Sequence, residues 1–369
     1  MKISVVMGTR PGIVKMAPIF NELSKNPDFI VELLYTGQHY SSNLKDDILS
    51  AFNLPEPNHV IRDIDLCSTH AEQISAMMIG CEKYFLDSQP DIVLVCGDAN
   101  TNLAAGLAAR KTNRVLCHVE SGLRSFDWSM PEEHNRVMLD HISDILFAPT
   151  EHSAHLLSQE SVRGEIHVVG NSVVDSLQLI VSNNLLSKPN SIEHSNFILA
   201  TTHRQENVDS SDRLKNILTS FNDITSLGFK IYFPMHPRTE KMINKFGFTT
   251  LLNENIIVIP PVKYEEMLWL IKNATVILTD SGGLQEEACV LGTPCVTLRD
   301  NTERPESVDV GANIIAGVNS SSIFSAVNKC LDNIASNKSW SNPFGNGDTS
   351  IKIAEIINEK NSFFSNSLR

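Results

Sequence analysis

Short apolar runs recur along the chain, each closed by a polar or glycine-containing turn and followed by a stretch with helical spacing of its apolar positions. In the first half these runs are Ile3–Met7, Val31–Tyr35, Ile92–Cys96, Val115–Val119, Ile145–Ala148 and Ile166–Val169. The second half repeats the arrangement with Phe197–Ala200, Lys230–Phe233, Ile256–Ile259, Val276–Leu278, Cys295–Leu298 and Asn313–Ala316. Continuous β-branched runs alternating with helices predict parallel strands buried on both faces and joined by crossovers. The polar stretch Ser182–Ser195, with Lys188-Pro189-Asn190-Ser191 inside it, has the composition of a linker or surface loop and parts the two sets. The predicted fold class is therefore α/β, two doubly wound Rossmann-like domains facing a central cleft. The expected domains are 1–172 and 173–348, with a segment 349–369 whose helix, Thr349–Glu359, packs back on the first domain before a frayed tail. A length of 369 residues, long for one hydrophobic core, agrees with two.

Composition narrows the choice of partner. A formal net charge of −13 argues against non-specific nucleic-acid binding, which needs a basic face. It leaves room for a small anion, because local arginines and helix N-termini reverse the field inside a cleft. The seven cysteines show no C-x-x-C and no paired spacing, which reads as buried free thiols in a reducing cytoplasm. Met1–Met7 is too short for a signal peptide and runs straight into a glycine turn. No apolar stretch approaches the length of a membrane span, so the expectation is a cytoplasmic protein without membrane or nucleic-acid partners.

Ligands of such sheets bind beyond the carboxyl ends of the strands, and there the chain is dense in chemistry. After Val276–Leu278 comes Asp280-Ser281-Gly282-Gly283-Leu284-Gln285-Glu286-Glu287. A small turn that opens a helix leaves unpaired N–H groups facing an anion, and glycines let a phosphate approach the backbone. Glu287, about one turn into the helix, is placed to accept hydrogen bonds from a ribose. A diphosphate-nucleotide site is the leading reading of this segment; an ordinary strand–helix turn is the plain alternative.

After the first strand, Gly8-Thr9-Arg10-Pro11-Gly12-Ile13-Val14-Lys15 puts Pro11 in a first helical turn, Arg10 at the mouth and Lys15 a turn inside. Two such cations suit a diphosphate, as they also suit a capped surface helix. Neither G-x-G-x-x-G nor the Walker A pattern occurs. A third group is acidic: Asp98 and Glu120 end neighbouring apolar runs, and Glu132 and Glu133 follow in Pro131-Glu132-Glu133-His134-Asn135-Arg136. Converging carboxylates shift one another's proton affinity as general acid–base chemistry requires. Arg136, four residues after Glu132, shares its helix face and is expected to hold it. Caps and surface ion pairs are the alternative. In the second half His203, in Thr202-His203-Arg204, and His236, in His236-Pro237-Arg238, also follow strands as phosphate donors or acids. No H-x-x-x-H or Cys/His spacing supports a metal site. The octamer Arg299-Asp300-Asn301-Thr302-Glu303-Arg304-Pro305-Glu306 alternates in sign, as in a loop locked by a hydrogen-bonded network or simply a solvated loop.

In order along the chain, Gly8-Thr9-Arg10-Pro11, Gly97-Asp98, His118-Val119-Glu120, Gly122-Leu123-Arg124, Pro131-Glu132-Glu133, Thr202-His203-Arg204, Asp280–Glu287, Thr302-Glu303-Arg304-Pro305-Glu306 and Asn342-Pro343-Phe344-Gly345 resemble the motifs of the non-hydrolysing UDP-N-acetylglucosamine 2-epimerases. The resemblance implies a glycosyltransferase-B architecture, a homodimer, and cofactor-free interconversion of UDP-GlcNAc and UDP-ManNAc for surface polysaccharide precursors. The sugar loses its C2 proton and UDP departs, leaving a 2-acetamidoglucal; UDP then adds back as C2 is protonated on the opposite face. It implies that Asp98, Glu120 and Glu132 are the acid–base carboxylates and that His203, Arg10 and the Ser281–Gly283 N–H groups stabilise the departing diphosphate. Glu287 would hold the ribose, Lys15 and Arg136 would orient carboxylates or phosphates, and His236 would contribute to substrate binding.

Four positions depart from the family pattern: Gly12 replaces a usual Glu, Ala99 a usual Thr, Ser121 a common Ala and Met267 a frequent Phe. Such changes are of the kind that retune the acid–base pair or the sugar accepted. The competing readings are a hydrolysing 2-epimerase releasing ManNAc, an epimerase of a modified UDP-2-acetamido sugar, a UDP-sugar glycosyltransferase and a non-catalytic UDP-sugar sensor.

Overall fold

A computed structural model describes residues 1–38 and 48–367, with side chains through Lys360. All twelve apolar runs form strands, their ends within a residue of the expected ones. One further strand, His59–Val60, joins the first set. Numbered in chain order, the strands are β1 (Lys2–Met7), β2 (Ile30–Tyr35), β3 (His59–Val60), β4 (Ile92–Cys96), β5 (Val115–Val119), β6 (Ile145–Ala148) and β7 (Glu165–Val168), then β8 (Phe197–Thr201), β9 (Lys230–Pro234), β10 (Ile256–Ile259), β11 (Val276–Thr279), β12 (Cys295–Thr297) and β13 (Asn313–Ile315).

They build two parallel sheets, ordered β3-β2-β1-β4-β5-β6-β7 and β10-β9-β8-β11-β12-β13. In both, the order runs outward one way from the first strand and then resumes on its other side. The result is a switch point between β1 and β4 in one sheet and between β8 and β11 in the other. The central strands β4, β8 and β11 are buried at every position, the reason their sequence is continuously rather than alternately apolar.

The chain divides into two compact units, Met1–Asn184 with Phe344–Arg369, and Leu185–Pro343. The helix Ser172–Ser182 belongs to the first. The last helix, Thr349–Ser367, extends beyond the expected Glu359; Leu368 and Arg369 lie outside the described residues. It packs on the helices Arg10–Leu23 and Ser172–Ser182 and buries Ile353 and Ile357 completely. Ser350 donates from both its N–H (2.8 Å) and its hydroxyl (2.7 Å) to Asp175, and the Asn171 N–H reaches the Phe344 carbonyl at 2.9 Å. Each unit has its own core, centred on Phe85, Val93, Val95 and Leu116 in the first and on Phe221, Phe233, Leu278 and Val296 in the second. Among the described residues, no helix is long and apolar enough to cross a membrane.

Candidate active site

In the first unit the expected residues lie beyond the carboxyl ends of β1, β4 and β5, the strands at and beside the switch point. Thr9 caps the helix Arg10–Leu23, its hydroxyl accepting the Gly12 N–H at 3.2 Å. Arg10 opens that helix, and Lys15 sits deeper, only 8% exposed. Its ammonium forms an ion pair with Glu120, itself 7% exposed. A lysine and a glutamate so removed from water neutralise each other.

Glu120 is held in an unusual backbone state. Its φ is +69°, in the left-handed region that non-glycine residues avoid and that persists only where the surroundings fix it. The neighbouring turn makes room for it: Gly97 has φ +76°, and a Cβ there would lie 2.9 Å from a Glu120 carboxylate oxygen. Gly122, two residues on, has φ +82°, and a Cβ would meet the Ser153 carbonyl at 2.4 Å. Glycine is required at both places.

Asp98, more than one-third exposed, faces Arg136 at 2.5 Å. The expected Glu132–Arg136 partnership gives way to another. Arg136 reaches Glu133 at 2.5 Å and Asp98, so the buried carboxylate of the pair is Glu133 and Glu132 is the half-buried one. Glu133 also collects the N–H groups of Ser125 (2.9 Å) and Phe126 (2.8 Å) and the Ser125 hydroxyl (3.0 Å), which sets the preceding loop. Spacings of three and four residues both put a carboxylate beside Arg136, and the requirements of that loop select Glu133. Asn135 adds a hydrogen bond to the Asp98 carbonyl at 2.8 Å.

In the second unit His203, His236 and Ser281 follow β8, β9 and β11. The organiser there is Asp280, which the sequence reading quoted without a role. It is fully buried and accepts from the Thr202 hydroxyl (2.7 Å), the His203 N–H (3.0 Å), the Arg204 N–H (3.0 Å) and Asn207 (3.1 Å), with His203 Nδ1 at 3.2 Å. Burial opposes its charge, but His203, Thr202 and the Arg204 N–H overcome that and hold the carboxyl well below the usual aspartate range. Asp280 thereby ties the loop after β8 to the end of β11 across the switch point.

Beside it, Ser281 is the N-cap residue of the helix Gly282–Leu291, a position with no side-chain cap, so the first-turn N–H groups remain for another acceptor. Space above that turn is open. A Cβ on Gly283 would meet nothing within 4 Å, and one on Gly282 would come no nearer than 3.6 Å to Glu303. Glu287 is buried on the same helix. His236 caps the helix Pro237–Phe246 by accepting the Arg238 N–H at Nδ1 (3.1 Å), which leaves Nε2 as its donor, and its ring lies 5.7 Å from that of His203.

The charged octamer is a network rather than a solvated loop. Arg299, 1% exposed, grips Glu303 with two bonds of 2.9 and 2.7 Å, and Arg304 pairs with Glu286. The Thr302 hydroxyl reaches Gln285 at 2.6 Å, so the octamer braces the helix that carries Gly282 and Gly283. Among the described residues no three His, Cys, Asp or Glu side chains gather as they would around a metal ion.

The family model for UDP-N-acetylglucosamine 2-epimerase matches residues 21–358. The chain belongs to that family. A UDP-N-acetylglucosamine 2-epimerase of Methanococcus maripaludis is 45% identical, over 96% of this chain and 98% of the relative. A UDP-2,3-diacetamido-2,3-dideoxy-D-glucuronate 2-epimerase of Pseudomonas aeruginosa is 36% identical, over 97% of this chain and 99% of the relative. The crystal structure of the Methanocaldococcus jannaschii UDP-GlcNAc 2-epimerase, in complex with UDP-GlcNAc and UDP, superimposes with a TM-score of 0.88 at 44% identity and covers 97% of this chain and 100% of that one. The two doubly wound units are therefore of the glycosyltransferase-B class that these epimerases share.

Proposed function

We propose that this protein interconverts UDP-GlcNAc and UDP-ManNAc by inverting C2 of the sugar. The observation that carries the reading is the pairing in the first unit: two carboxylates at neighbouring strand ends, Glu120 and Asp98, each with its own buried cation, Lys15 and Arg136. One carboxylate of the set Asp98, Glu120 and Glu132 takes the C2 proton. The C1–O bond to UDP breaks, its electron pair leaves with the diphosphate, and a 2-acetamidoglucal forms. UDP then adds to C1 while a second carboxylate delivers a proton to the other face of C2. Lys15 and Arg136 keep their carboxylates oriented for this exchange, in which the one that takes the proton starts ionised and the one that delivers it starts protonated.

The departing diphosphate needs the most help, since charge develops there. In this reading the N–H groups of Gly282 and Gly283, with Arg10 and His203, receive it, the Ser281 N–H being taken by the Thr279 hydroxyl at 3.0 Å; His236 donates from Nε2, and Glu287 accepts from the ribose. Asp280 against His203 Nδ1 fixes the orientation of that ring. UDP-GlcNAc is preferred over a modified 2-acetamido sugar because identity is higher to the relative named for it, 45% against 36%. The homodimer and the cytoplasmic setting, with all seven cysteines free, are part of the same proposal.

The test is proton NMR of the full chain with UDP-GlcNAc in D2O. Deuterium at C2 with a stable mixture of the two UDP-sugars is the expected result. Free ManNAc accumulating with UDP replaces the reading by a hydrolase, and bound substrate with no exchange at C2 removes it.

A further inference from the structure

Below the two carboxylates lies a set of charges that the proposed chemistry does not use. His118, on β5 and fully buried, places Nδ1 2.7 Å from Asp140 Oδ1 and Nε2 3.1 Å from the Gly97 carbonyl oxygen. Asp140 is also fully buried, and its Oδ2 accepts from Arg124 (2.8 Å) and from the Gly122 N–H (3.1 Å). Arg124 in turn grips Glu160 through Nε (2.8 Å) and Nη2 (2.7 Å).

The chemistry of the two acceptors fixes the state of the ring. A carbonyl oxygen only accepts, and so does an ionised carboxylate that already receives a guanidinium and a backbone N–H. Both nitrogens of His118 therefore carry protons. The set is then two cations, His118 and Arg124, and two anions, Asp140 and Glu160, which buries no net charge. On the adjacent strand the Cys96 thiol reaches Glu120 at 4.0 Å, and Glu120 pairs with Lys15.

The anchors of this ring are the informative part. Gly97 immediately precedes Asp98, and Gly122 lies two residues after Glu120. Both glycines and Glu120 have positive φ, which glycine adopts freely but which at Glu120 is strained and holds only if fixed from outside. We propose that His118 and Asp140 are positioning residues for the C2 chemistry: a buried imidazolium–carboxylate pair that ties Gly97 to Gly122 and so fixes the separation of Asp98 and Glu120. The inference rests on the epimerase reading above.

The experiment compares the full-length protein with His118→Gln and Asp140→Asn, using the rate of C2 deuterium incorporation from UDP-GlcNAc as kcat and thermal unfolding to verify the fold. Displacement of a reacting carboxylate by a fraction of an ångström lowers kcat about tenfold or more. KM should stay within about threefold, because the groups assigned to UDP, Arg10 excepted, lie on the other unit. A folded variant with unchanged kcat, or with its loss confined to KM, overturns the proposal. The wild type supplies an independent reading through histidine 15N shifts. One solvent-protected ring with both nitrogens protonated is expected for His118, and a neutral ring there overturns the pair even if both variants fail to fold. A wild type that exchanges no C2 proton removes the epimerase reading instead, and the 15N result still decides the protonation of the pair.

Discussion

At the residue scale, the types of side chain the chemistry needs were legible, and their partners were not. Asp98, Glu120, His203 and Ser281 announce themselves as polar groups closing apolar runs. The Lys15–Glu120 pair joins residues far apart in sequence and follows only from β1 and β5 flanking β4 in the sheet. Arg136 could pair at three residues or at four, and a loop outside the helix decided it. Asp280 was overlooked because an aspartate after a strand reads as a cap, whereas its role depends on a second loop folding over it. Its depressed proton affinity has a thermodynamic consequence. The folded carboxyl lies below its ordinary value of 3.8, so the native state binds fewer protons than the unfolded one. The stabilisation is complete above about pH 5 and is lost as pH falls through and below 4. Asp280→Asn should cost about 3 kcal/mol or more near neutrality, because the donors aimed at the carboxylate lose it. Urea unfolding of both proteins from pH 7 to pH 3 should show the gap narrowing below pH 4; a gap that stays constant to pH 3 contradicts the assignment.

At the element scale, every strand with a continuous apolar run was visible, since burial on both faces writes itself into consecutive residues. β3 was missed for the same reason in reverse: His59–Val60 is a two-residue edge strand, half exposed, with no pattern to carry it. The departures from family pattern gain a physical meaning from the helix starts. Thr9 is the N-cap residue of the helix Arg10–Leu23 and Gly12 its third position, so the usual Glu there would complete a capping box with Thr9. Ala99 is likewise the N-cap residue of the helix Asn100–Lys111, and no side chain caps that end. Gly12→Glu should stabilise the protein by about 1 kcal/mol, raising the melting temperature by roughly 2–4 °C. A Cβ at this position comes to 3.2 Å from the Thr9 hydroxyl, a contact a small rotation of Thr9 relieves. Gly12→Ala isolates the loss of glycine, and equal melting temperatures for the two variants would exclude the box.

At the scale of the whole molecule, the number of units and their parallel sheets followed from two sets of apolar runs. The path by which the chain returns to its first unit has no signature in a local pattern, since the helix Thr349–Ser367 is amphipathic wherever it docks. Its contribution is measurable. Removing Phe344–Arg369 deletes Phe344, Ile353 and Ile357 from the interior and exposes the faces they cover. At about 1.5–3 kcal/mol for each buried side chain, the first unit should lose on the order of 5 kcal/mol or more. The second unit, one continuous segment, should keep its own transition. Calorimetry of the truncated chain should therefore show one transition lowered or absent and one unchanged; two unchanged transitions would mean the last helix contributes nothing.

That same return of the chain orders events at the ribosome. Translation proceeds from the N-terminus, and domains fold as their residues emerge. The segment Leu185–Pro343 is complete before Phe344 has been added, whereas the unit begun earlier lacks the helix Thr349–Ser367 until that segment has followed. The half of the protein proposed to carry the acid–base chemistry is thus the first to be started and the last to be finished, and a nascent chain can acquire its proposed nucleotide-binding half before it can acquire its catalytic one.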